Sequence, residues 1–167
     1  QDFAASVIMA QSNSNETILR YCKMYNFDYS KHRICLSIEF DSEVPTTSTR
    51  KYITREIFSS ITTWIMNTYG CNVFFLKTHT HYVLYLLFSD VISQETAEYQ
   101  ASEAAKKIWH IFNHNNISTY IGVSLYSSDL QQISKAFFQA IDAMKLGRKL
   151  YPEENVFLFR TIQVYQW

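Results

Sequence analysis

Ile121-Gly122-Val123-Ser124-Leu125-Tyr126, the stretch from Asp129 to Pro152, and Val156-Phe157-Leu158-Phe159 decide the fold. The first run is short and mostly apolar and reads as a strand. The second places Ala136, Phe137, Ala140, Ile141 and Met144 on one face at helical spacing. It closes on Leu146-Gly147-Arg148-Lys149-Leu150-Tyr151-Pro152, and a short apolar run follows. The reading is strand, long helix over 129–150, strand over 155–159.

Working outward, the strand before this helix is expected over 117–126. A third amphipathic helix is expected over 94–113, with Ala97, Ala101, Ala104, Ile108, Ile111 and Phe112 inward. Two apolar runs, Val73–Leu76 and Tyr82–Phe88, flank Lys77-Thr78-His79-Thr80-His81 and read as an antiparallel hairpin. Ile53, Ile57, Ile61, Trp64 and Ile65 mark an amphipathic helix that starts near Pro45 and ends near Gly70, a residue suited to a helix C′ position. Between Arg33 and Phe40, Ile34, Leu36, Ile38 and Phe40 alternate with Cys35, Ser37 and Glu39, which predicts a strand with one buried face. Ser14 or Asn15 caps a first helix that runs to about Tyr25, with Ile18, Leu19, Cys22 and Tyr25 inward. Strand–helix–strand pairs around a hairpin predict an α+β fold, a mixed sheet of about five strands flanked by helices. The domain reading is an N-terminal helical segment, 1–28, and a core domain, 29–167.

The 167 residues suffice for one domain with its own core. Hydrophobic residues make up 47%, while Gly and Pro number only 3 and 2, which argues against disorder. Lys and Arg total 15, as do Asp and Glu, so the net charge supplies no drive toward nucleic acid. Cys22, Cys35 and Cys71 are odd in number and lack CxxC spacing, and read as reduced thiols of a cytoplasmic protein. No run approaches the roughly 18 apolar residues of a membrane span, and no signal peptide is visible at the start. The chain opens without Met and reads as a fragment.

The order of elements resembles the degenerate GGDEF-like domain of sugar-diacid regulators and purine-catabolism-type activators. The matching pieces are Tyr29 to Asp41, Ile121-Gly122-Val123-Ser124, Lys135 to Leu150, Pro152 to Phe159, and Val164-Tyr165-Gln166-Trp167. A similar module sits in some response regulators with an arabinose-operon-type DNA-binding domain. The resemblance implies a nucleotide-cyclase-like architecture with a ferredoxin-like core and an N-terminal helical extension. It also implies a parent protein with a small-molecule sensor and a helix-turn-helix domain, neither of which is expected within this chain.

Active relatives of that architecture carry two glycines and two acids in the hairpin, for nucleotide approach and magnesium. Here the bend Thr78-His79-Thr80-His81 has neither glycine nor carboxylate. Magnesium bound to phosphates takes oxygen ligands, and imidazole serves it poorly. No enzymatic activity, no catalytic residue and no cofactor is therefore expected. Glu39 and Asp41, which share a face at the end of their strand, are the candidate ligand-binding residues. The more economical reading is two solvated acids at a strand end.

No metal site is expected. His79 and His81 lack a third ligand and read as polar residues of an exposed bend. His110 and His114 lack the HExxH glutamate and suit a helix C-terminus, as do Lys145, Arg148 and Lys149. Trp64 reads as core, Trp109 as a neighbour of the apolar stripe of its helix, and Trp167 as a chain-end residue.

The function expected is a non-catalytic regulatory and dimerisation module of a bacterial transcription regulator. Its partners would be a second copy, DNA only through the helix-turn-helix domain, and no membrane, with the effector bound by the sensor. The apolar Phe3, Val7, Ile8 and Met9 motivate the self-association. The alternatives are a ligand- or nucleotide-binding sensor without turnover, and the intermediate domain of an arabinose-operon-type response regulator.

Overall fold

Alternation in the strands and three- to four-residue spacing in the helices produce an α+β fold around one five-stranded mixed sheet. The computed structural model describes residues 14–41, 48–77, 81–89, 92–130 and 132–165. The expected helix start at Pro45, the bend residues Thr78, His79 and Thr80, the apolar residues 3–9 and Trp167 lie outside them. In chain order the elements are α1 (Asn15–Met24), β1 (His32–Phe40), α2 (Ser48–Tyr69), β2 (Asn72–Lys77) and β3 (Tyr82–Phe88). They continue with α3 (Gln94–His114), β4 (Thr119–Val123), α4 (Gln132–Leu150), β5 (Val156–Leu158) and α5 (Phe159–Ile162), then a single 3₁₀ turn, Gln163–Tyr165. None of the helices among the described residues is long and apolar enough to cross a membrane.

The strand order is β2-β3-β1-β4-β5. β1 lies at the centre, antiparallel to β3 (Ile34 opposite Leu86) and to β4 (Ile38 opposite Ile121). β2 and β3 form the hairpin, with Lys77 opposite Tyr82, and β5 runs parallel to β4. The first four strands with α2 and α3 make the split βαββαβ arrangement of ferredoxin-like folds. α4 and β5 extend it by one strand.

Sequence alternation predicts one buried face for β1, but Arg33 to Ile38 are all buried. Ile34, Leu36 and Ile38 meet α2 and α3 through Ile57, Ile61, Ala101 and Ile108. Cys35 faces the other way, with Val83, Tyr85 and Leu87, against Ile18 and Cys22 of α1 and Ala136, Phe137 and Ala140 of α4. Alternation reports which residues share a face and cannot report that helices cover both faces. The three cysteines are free and buried.

The ends of the elements follow local chemistry. Ser14 and Ser93 cap α1 and α3, accepting hydrogen bonds from the N–H groups of Thr17 and Thr96. Gly70 ends α2 at φ +67°, and its N–H donates to the Met66 carbonyl. β4 stops at Val123, short of the expected Tyr126. There the Ser124 hydroxyl accepts the Cys35 N–H at 2.8 Å and takes the place of a ladder carbonyl. Pairing resumes at Arg33 and Ser127, so the β4 side carries one extra residue, a bulge. β5 stops at Leu158, where Phe159 had been expected to continue it. Phe159 instead opens α5, and the turn sends Phe159 and Ile162 into a cluster with Ala143, Met144 and Phe157.

Two glycines set how closely α4 approaches the sheet. A Cβ on Gly122 of β4 would overlap the Ala140 carbonyl of α4. A Cβ on Gly147 of α4 would overlap the Phe157 ring of β5. Gly122 therefore lets the β4 backbone approach the α4 backbone directly, and Gly147 lets the Phe157 side chain of β5 pack onto α4.

Candidate functional site

Glu39 and Asp41 follow from the β1 alternation and project on the α4 side of the sheet. β1 ends beside β4, where Glu39 lies opposite Tyr120 and the Asp41 N–H donates to the Ser118 carbonyl at 2.9 Å. α4 crosses this end of the sheet with its last turn, which carries Arg148. The Arg148 guanidinium donates to Glu39 Oε1 at 3.1 Å and lies 3.7 Å from Asp41 Oδ1. Its plane centre sits 3.9 Å from the centroid of the Tyr120 ring, a cation–π contact. One cation thus bridges both candidate carboxylates.

His81 completes the cluster. Its Nε2 lies 3.8 Å from Glu39 Oε2, and its ring meets Phe137 of α4 edge-on with centroids 6.4 Å apart. The side chain is only 10% exposed, so the expectation of a polar residue in an exposed bend is corrected for His81. The alternation that turns Tyr82 toward α2 turns its neighbour under α4. Burial holds the imidazole below its ordinary pKa; Glu39 opposes this and Lys145 adds to it. Neutral imidazole is therefore favoured near neutral pH.

The arrangement can hold two carboxylates in place and neutralise part of their charge. Among the described residues, no cluster of His, Cys, Asp and Glu suits a metal ion. His110 and His114 sit with ring centroids 5.1 Å apart in the last turns of α3, where Asn115 caps the helix.

Sequence reasoning placed Glu39 and Asp41 together on one face, and the structure brings them together under Arg148. It assigned Arg148 to its own helix end and missed the pairing. No local signal points across the 109 residues that separate Arg148 from Glu39. It also missed Arg33, which is fully buried. The Arg33 guanidinium donates to the carbonyls of Asp129 (2.7 Å), Tyr29 (3.0 Å) and Lys31 (3.1 Å), pinning the loop before β1 to the loop before α4. A cationic residue at the start of a strand that is apolar over Ile34–Leu36 was the available signal. This network is structural and lies at the opposite end of β1 from Glu39.

The strand order β2-β3-β1-β4-β5, with α4 over the tip of β1, is the frame that carries these side chains. A search of curated proteins finds no match to this chain. The model of the GGDEF-like domain matches residues 11–146, which begin just before α1, end within α4 and make up more than half of the sequence; the chain belongs to the GGDEF-like domain family.

Proposed function

We propose that this chain is a non-catalytic regulatory and dimerisation module of a bacterial transcription regulator of the sugar-diacid type, acting in the cytoplasm. It receives a change of state from a small-molecule sensor and passes it to a helix-turn-helix domain outside this sequence, the only route to DNA. The observation that carries the non-catalytic reading is the Arg148 bridge. Phosphoryl transfer needs acids available to divalent ions. Glu39 and Asp41 here already satisfy a guanidinium that rests on Tyr120. The sequence Thr78-His79-Thr80-His81 between β2 and β3 supplies no further carboxylate and no glycine. An ion-paired scaffold of this kind ties the end of α4 to the end of β1, which suits a module that moves as a unit.

Incubation with GTP and magnesium, followed by chromatography of the nucleotides, tests the first half. Unchanged GTP is expected, and any cyclic dinucleotide would refute it. Light scattering across a concentration series tests the second half. A dimer that dissociates on dilution is expected, and a monomer at every concentration would remove the dimerisation reading.

A further inference from the structure

α2 lays one stripe of side chains along the outer edge of the sheet, above β2 and the start of β3. Between them lies a cavity of about 620 Å³, within the range of small-molecule sites. Its floor is aromatic. Phe58 stacks on Tyr82 at 4.8 Å and 30°, and Phe75 lies 4.9 Å from Phe58 and 5.9 Å from Tyr82. Phe58 is buried and wedged edge-on against Phe112, so the floor is held from behind. Phe75 is 42% exposed, so its ring is open to the cavity.

The walls are basic. Lys51 and Arg55 descend from α2, and Lys77 comes from β2 with its ammonium 5.2 Å from the Tyr82 ring. No carboxylate lines the cavity among the described residues, although acids and bases balance in the chain as a whole. None of these three cations forms an ion pair among the described residues. The hydroxyls of Thr54 and Thr62 add polar groups one and three turns along the same stripe. Cations above a stacked aromatic floor are complementary to one ligand chemistry: a flat ring with an attached anionic group.

We propose that this cavity binds a small planar aromatic anion, with the ring on Phe75 and Tyr82 and the carboxylate or phosphate between Arg55, Lys51 and Lys77. The site lies on the α2 face of the sheet, whereas Glu39, Asp41 and Arg148 lie on the α4 face. It is therefore independent of the regulatory reading above and stands or falls by itself.

Calorimetric titration of the whole chain tests it with four probes. Salicylate and adenosine 5′-monophosphate carry both ring and anion; adenosine lacks the anion and glucarate lacks the ring. Saturable binding of at least one of the first two is expected, with adenosine and glucarate at least about tenfold weaker. Salicylate alone would assign a carboxylate, the monophosphate alone a phosphate, and both together a site that accepts either. Arg55→Glu and Phe75→Ala, both at exposed positions, should each weaken binding about tenfold with unchanged circular dichroism, while Arg148→Met leaves it intact. Failure of both aromatic anions to bind, equal binding of adenosine, or affinity unchanged in both cavity variants would overturn the proposal.

Discussion

Replacing Gly122 with alanine adds one methyl group where the fold has no room for it. The new Cβ would overlap the Ala140 carbonyl oxygen and crowd the Met144 nitrogen at 3.2 Å. Both atoms are backbone of α4, so no rotamer change relieves the contact. α4 must move away from β4 as a body, and it carries Ala136, Phe137, Ala140, Ile141, Ala143 and Met144, all buried against the sheet or α5. Overpacking that side chains can absorb costs about 1–3 kcal/mol. With rigid backbone on the receiving side, Gly122→Ala should reach about 3 kcal/mol or more. At this chain length that lowers Tm by about 6–12 °C.

The other two glycines serve as controls. A Cβ on Gly147 would meet the Phe157 ring, a side chain, and alanine would also recover about 1 kcal/mol of helix propensity there. A Cβ on Gly70 meets nothing within 4 Å, and only its φ of +67° opposes substitution, at about 1 kcal/mol. Urea titration followed by tryptophan fluorescence and circular dichroism should rank Gly122→Ala as the most destabilised of the three by a clear margin. A Gly122→Ala protein within about 0.5 kcal/mol of the parent would refute the close-contact reasoning, since that is the range of unconstrained surface substitutions.

Arg148→Met removes the bridge over Glu39 and Asp41; because the groups are partly solvated, the loss should be only about 1 kcal/mol, and a double-mutant cycle with Glu39→Gln in low and high salt should show coupling that shrinks as salt rises. Burial places the His81 pKa below its unfolded value, so the unfolded chain binds more protons in between: the stabilisation is complete above about pH 6.5 and is lost as pH falls through the folded pKa. His81→Asn should flatten that part of a urea-midpoint against pH profile, and an unaltered slope would count against the assignment. Burial pushes the Cys22 and Cys71 thiols up to about 11 and Cys35 higher still; a thiol reagent at pH 8 should therefore label none of the three in the folded protein within minutes and all three in urea. Rapid labelling of the folded protein would show that these thiols are accessible.

The elements were legible because each writes a local period. Ile34 to Phe40 alternates, α3 repeats its alanines, and Ser14 and Gly70 announce helix ends through chemistry confined to one turn. The misses share a different cause. β4 ends where Ser124 bonds to Cys35, a partner 89 residues distant, and Phe159 leaves the strand to reach a cluster built by α4. At the site, alternation sufficed to pair Glu39 with Asp41. Which cation faced them depended on where α4 ends above the sheet.

The sequence by itself determined the order of the five strands and the first four helices, the side of β1 that bears two acids, and a hairpin bend without glycine or carboxylate, because periodicity and residue chemistry act over a few bonds. Only the tertiary structure decided that both faces of β1 are covered, that Arg33 is buried among carbonyls and that Arg148 closes over Glu39 and Asp41. Those facts arise from contacts between segments far apart in the chain, where the free energy depends on relative position in space and leaves no mark on local spacing.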